Sequence, residues 1–257
     1  MEQVREIMEN YVGITGATSV STALKTSQIF SINEYNLESK YLPLIGLNVG
    51  QPDLKEFPLS EGYSSVDKLL LTLTSIKDAA KTAICYYTTG LDDLPKQIDS
   101  LFADKGLERL CDNLQLCLPS WPGISQMSEI KFKHQQVKHI LRVTSNMVGE
   151  NTPLEVAKRI ELYTKNVDGV LLCLPANVEG DRSQYIAHLG ERYNAIKERA
   201  PRLNIGFFGR FGELSALELI EGIKGEIGTG DFSICAEKEE ERAASDFIQR
   251  IAKVLEP

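Results

Sequence analysis

Three thiols, two guanidinium groups and an aspartate stand at or near the ends of short apolar runs in this 257-residue chain. Cys117 follows Asn113-Leu-Gln-Leu, Cys173 follows Val170-Leu-Leu, and Cys235 lies in the stretch opened by Asp231. Arg142 interrupts His139-Ile-Leu-Arg-Val, and Arg210 closes Leu203-Asn-Ile-Gly-Phe-Phe-Gly. A thiol is a nucleophile or soft-metal ligand only as the thiolate. Otherwise it behaves as a compact buried hydrophobe, which is the more common case. An arginine fork grips carboxylate or phosphate, so Arg210 is a candidate for holding an anion. Arg142, if it faces inward from its apolar run, must find partners. Asp231 suits the orientation of a ligand hydroxyl or amine, or the capping of a strand start. Trp121 either stacks on an aromatic ligand or packs over the following helix.

The elements that must position these groups are legible as a repeat. Eight β-prone stretches start 24 to 40 residues apart: Tyr11–Thr15, Leu42–Gly50, Thr82–Thr89, Asn113–Pro119, Val137–Ser145, Val167–Pro175, Leu203–Arg210 and Asp231–Glu237. Runs such as Val170-Leu-Leu-Cys-Leu suit strands covered on both faces. The gaps carry helical spacing, with Val66, Leu69, Leu70 and Leu73 on one face, and Phe247, Ile251, Val254 and Leu255 on another. Thr152-Pro153-Leu154-Glu155 reads as a capping box with proline in the first turn. Strict β-then-α alternation, eight times over, predicts a single α/β domain over 1–257 folded as a (β/α)8 barrel, with one helix per gap.

In that architecture the functional face is the C-terminal end of the strands. Side-chain alternation places Gln115 and Cys117 on one face of the fourth strand, and Asp231, Ser233, Cys235 and Glu237 on one face of the eighth. Cys117, Cys173 and Cys235 are expected to share a layer near the mouth. The candidate catalytic residues are Cys173 and Asp231. The candidate ligand contacts are Gln115, Cys117, Arg142, Gly209, Arg210 and Ser233. His134, His139 and His188 fall on helix or early-strand positions, so neither histidine acid–base chemistry nor a zinc site is expected. The acidic run Glu237-Lys-Glu-Glu-Glu-Arg complements the dipole of the last helix.

Net charge −8 argues against nucleic acid and against anionic membrane surfaces as partners. No apolar run reaches the ~18–20 residues of a spanning helix. Five cysteines, no CxxC pair and a charged start from Met1 to Asn10 point to reduced thiols in the cytoplasm. No cofactor or metal is expected. The expected partner is a small molecule, and a monomer or homodimer is expected.

Several segments resemble phosphoribosylanthranilate isomerase, a (β/α)8 enzyme. Tyr11-Val-Gly-Ile-Thr is similar to the family's K-I-C-G-I-T, and Asp112-Asn-Leu-Gln-Leu-Cys to D-x-V-Q-L-H-G. Val167-Asp-Gly-Val-Leu-Leu-Cys resembles D-A-F-L-L-D, Ile205–Gly209 resembles I-L-A-G-G, and Asp231-Phe-Ser-Ile-Cys-Ala-Glu resembles D-V-S-S-G-V-E. The resemblance implies an Amadori rearrangement run by a cysteine base on strand one and an aspartic acid on strand six. Val12 stands at the first of these positions and Cys173 at the second. The arginine expected after strand two is absent, with Lys55 nearest, and Phe208 and Cys235 replace glycines of the phosphate-binding turns. The expected function is a diverged barrel that binds a small, phosphorylated or aromatic metabolite without the parent isomerisation. Different chemistry in the same mouth, an isomerase with relocated groups, and a non-catalytic interaction protein remain as alternatives.

Overall fold

The computed structural model describes residues 9–17, 19–50, 66–174, 182–209, 215–228, 232–237 and 241–255. Eight parallel strands close into a barrel in sequence order. They are β1 (Asn10–Ala17), β2 (Tyr41–Gly50), β3 (Lys81–Tyr87), β4 (Asn113–Cys117), β5 (Lys138–Val143), β6 (Gly169–Cys173), β7 (Asn204–Gly209) and β8 (Ser233–Glu237). Each overlaps one of the eight apolar stretches. The (β/α)8 expectation is therefore met.

The helices number ten among the described residues rather than eight. They are α1 (Val20–Ile32), α2 (Val66–Ile76), α3 (Leu94–Leu101), α4 (Lys105–Leu110), α5 (Ile124–Lys133), α6 (Ser145–Val148), α7 (Pro153–Glu161), α8 (Arg182–Arg199), α9 (Ser215–Ile227) and α10 (Glu241–Leu255). The β3–β4 and β5–β6 connections each hold two. Asp104 caps a new start at α4, and Thr144 caps the single turn of α6. The Thr152 box forms as expected, with the hydroxyl accepting from the Glu155 amide and the Glu155 carboxylate accepting from the Thr152 amide.

Two apolar layers position the barrel. Inside it, Tyr11, Leu42, Leu44, Ala83, Ile140, Leu171, Phe208 and Cys235 pack together. Outside it, alternate residues such as Val12, Ile14, Ile45, Ile84, Leu141 and Phe207 meet helix faces built from Leu69, Leu73, Ile98, Ile160 and Phe247. Covering on both faces is why the strands read as nearly continuous apolar runs. Gly13 belongs to the inner face. A Cβ there would stand 2.7 Å from the Cys235 thiol, so the strand can pass the sulfur only as glycine. At the top of β1 the register slips between Thr15 and Ala17, and Gly16 takes a φ of 98°. That bulge bends the strand at the rim.

Candidate functional site

Inward alternation brings one residue from most strands to the C-terminal mouth: Asn48, Tyr87, Cys117, Arg142, Cys173, Phe208 and Glu237. At its centre is Arg142 on β5, 2% exposed. Its Nε and Nη2 donate to Gln115 Oε1 at 3.0 and 2.7 Å, Nη2 also approaches the Cys85 thiol at 3.1 Å, and Nη1 donates to Tyr87 Oη at 2.8 Å. The guanidinium carbon sits 3.7 Å from the ring centroid of Phe208, where the cation meets the negative face of the π-system.

A guanidinium is always charged. Every hydrogen-bond partner of Arg142 is neutral, and no carboxylate of the described residues lies within ion-pair distance. The nearest negative group in the network is Glu237 at the end of β8. Tyr87 Oη donates to Glu237 Oε1 at 3.4 Å, and Asn48 Nδ2 donates to the same oxygen at 3.2 Å. Arg142 and Glu237 are thus two hydrogen bonds apart, bridged by one phenol. Of the five guanidinium N–H groups, one on Nη1 has no partner among the described residues. The Asn48 amide is buried, and its Oδ1 has none either.

The thiols are neutral packing elements. Burial, partly opposed by Arg142, raises Cys173 to about 11 and Cys85 to about 11. Burial also raises Cys235 to about 12 and holds Cys117 well above its ordinary value. Cys117 and Cys173 are half-buried at the mouth, each with its sulfur directed at a carbonyl of its own strand, 3.8 and 3.9 Å away. Cys235 is fully enclosed beside Gly13. Among the described residues no group of His, Cys, Asp and Glu has the arrangement to hold a metal ion.

The structure brings Gln115, Cys117, Arg142 and Cys173 together. Gly209 ends β7 beside Ala236 of β8. Asp231, Arg210 and Lys55 lie outside the described residues. Two expectations need correction. Ser233 opens β8 at the opposite end of the barrel. There it accepts from the Tyr11 amide at 3.0 Å and donates to Asn204 at 3.2 Å, so it takes no part in the mouth. Val12 points outward to the helices and not into the rim; Gly13 and Thr15 are the inward residues of β1. Trp121 stacks on Tyr163 at 5.7 Å and donates to the Met147 carbonyl, away from the barrel axis. The histidines stay off the mouth, His134 capping α5, His139 at the start of β5 and His188 in α8.

Three mouth residues were not singled out from sequence. Tyr87 and Asn48 lie inside the predicted strands without any motif of their own, and Glu237, although on the same face of the eighth strand as Cys235, also belongs to the acidic run that complements the last helix. Their signal was parity: each shares the inward face with a residue two positions earlier, at Cys85, Gly46 and Cys235.

No protein-family model and no curated protein matches the chain. Solved structures do. The catalytic domain of a chitinase from Pyrococcus furiosus superposes with a TM-score of 0.58 at 9% identity, over 96% of this chain and 97% of that one. TrpF from Jonesia denitrificans gives 0.53 at 11% identity, over 95% and 98%. A Rubisco-like protein from Rhodopseudomonas palustris gives 0.56 at 14% identity over 96% of this chain, which spans 65% of that protein. At these identities the likeness shows the fold alone. The chain is a (β/α)8 barrel.

Proposed function

We propose that the mouth binds a small anionic metabolite, a phosphate or carboxylate, without the isomerisation that the resembled family performs. What carries this reading is the fully buried Arg142, held by neutral groups with one N–H to spare. A buried cation with incomplete compensation attracts an anion and makes strong charge-assisted bonds to it. Phe208, at a position where the resembled family has a phosphate-turn glycine, instead supplies the ring on which this guanidinium rests. The absence of isomerisation is supported at the two positions that match the family's catalytic pair. Val12 faces the helices rather than the mouth, and a Cys173 thiol raised to about 11 is a poor acid at neutral pH.

Titration with inorganic phosphate, ribose 5-phosphate and anthranilate, followed by NMR shifts and thermal unfolding, tests the binding. Wild type is expected to respond to at least one of them. Arg142→Met is expected to weaken that response roughly 10- to 100-fold, the worth of one or two charged hydrogen bonds. Turnover of phosphoribosylanthranilate that disappears in Cys173→Ala would replace this reading with a true isomerase.

A further inference from the structure

We propose that Asn48 and Glu237 form a second half of the mouth that reads a hydrogen-bond donor, so that the ligand carries an amine or hydroxyl close to its anionic group. The inference rests on the anion reading and narrows its ligand to short amino or hydroxy acids and their phosphate counterparts. Three observations carry it.

The first is an acceptor without a donor. Asn48 Oδ1 is buried and unpartnered, and buried polar atoms in native proteins rarely are. Its amide cannot turn over to solve the problem. Nδ2 is committed to Glu237, and a flipped amide would set oxygen against carboxylate.

The second is placement. β1 lies between β2 and β8 in the barrel, with Thr15 registered on Gly46 at one side and on Glu237 at the other. Asn48 and Glu237 therefore meet across the front of β1, above its Gly16 bulge. The pair presents an amide oxygen and a carboxylate, which are acceptors only. An ammonium or hydroxyl suits them, and an aliphatic carbon leaves Oδ1 stranded.

The third is span. Glu237 and Arg142 contact the same Tyr87 hydroxyl, at 3.4 and 2.8 Å. A ligand engaging both halves is thus short, with its charged end and its donor on adjacent or next-adjacent carbons.

Matched three-carbon probes separate the two halves: propionate, lactate and alanine, and propyl phosphate against glycerol 3-phosphate. Binding is read by NMR shifts on the wild-type protein and on Asn48→Leu and Glu237→Gln. The expected result is that lactate, alanine and glycerol 3-phosphate bind about 10-fold or more tighter than propionate and propyl phosphate, the discrimination of a site built to hydrogen-bond its ligand. Asn48→Leu abolishes that preference. Glu237→Gln weakens alanine binding more than lactate binding, because the ammonium loses a counter-charge that the hydroxyl does not need. Equal binding of the bare acids overturns the inference and leaves the anion reading standing; a resident water satisfying Asn48 would give this outcome. Binding of none of the five overturns both.

Discussion

The two ends of the barrel treat charge in opposite ways. At the N-terminal end, cations meet carboxylates directly. Lys138, first in β5, pairs with Glu9 before β1 at 2.6 Å, and Lys81, first in β3, pairs with Asp112 before β4 at 3.5 Å. Lys131 of α5 pairs with Asp168 before β6 at 2.7 Å. At the C-terminal end, Arg142 is more deeply buried than any of those lysines, yet it is surrounded by an amide, a phenol, a thiol and a ring. Direct, half-exposed pairs hold strand ends in place at little desolvation cost. A dry cation with neutral neighbours is poor stabilisation and good ligand chemistry. The contrast supports the proposed anion site independently of any resemblance.

Removing the neutral cradle is the severest way to break that contrast. Gln115 Oε1 accepts two of the guanidinium's N–H groups. Gln115→Leu leaves a buried charge short of acceptors and is expected to cost about 3 kcal/mol or more in urea unfolding. Arg142→Met deletes the charge itself and is expected to be far milder. Equal losses from the two would mean that the guanidinium is a structural pillar rather than a charge held for a ligand.

One group at the paired end breaks its own pattern. His139 is fully buried on β5, and neither ring nitrogen has a hydrogen-bond partner; Asp168 Oδ2 is 3.9 Å from Nδ1. Burial lowers its pKa from 6.5 to about 4, with the nearby Lys131 adding to the effect and Asp168 opposing it. The unfolded chain therefore binds a proton that the folded chain refuses. Stability is retained above pH ~6.5 and is lost as pH falls from there toward 4. The loss approaches about 3 kcal/mol from this group alone. His139→Leu is expected to flatten that slope in urea midpoints measured from pH 7 to 4. It should leave stability at pH 7 unchanged or raised, since the neutral ring makes no bond to lose. An unchanged slope would place the titration elsewhere, in carboxylates such as Glu9 and Asp99.

The barrel was legible because each strand is an apolar run bounded by polar or helical sequence, and closure follows from eight repeats. Arg142 was legible for the same reason: a charge inside such a run has to be explained. The depth and facing of other residues were not. Continuous apolar strands give no alternation by which to tell inside from outside, so Val12 was placed on the wrong face. Ser233 was placed on the inward face, but parity along a strand says nothing about which end of the barrel a residue occupies. Glu237 was hidden in an acidic run whose helix-dipole role is a sufficient account of its composition. Tyr87 and Asn48 carry ordinary hydrogen-bonding groups that gain meaning only when β3, β2 and β8 converge on one carboxylate.

The thiols supply the finest test of the contrast, because they decide whether the mouth is electrostatic or covalent. Cys173 is half-buried, and burial raises it to about 11 despite the opposing Arg142 cation. At neutral pH it is almost wholly protonated, and only the thiolate attacks an electrophile. Iodoacetamide is thus expected to label Cys173 at least about 10-fold more slowly than a free thiol of ordinary pKa near 8.5, measured by mass spectrometry of the labelled peptide. Cys173→Ser should change anion affinity only a few-fold, because serine preserves a small neutral donor at the same place. Rapid labelling at pH 7 would show that Arg142 outweighs desolvation in solution. The guanidinium would then be a thiolate's counter-ion, and the mouth a candidate for nucleophilic chemistry.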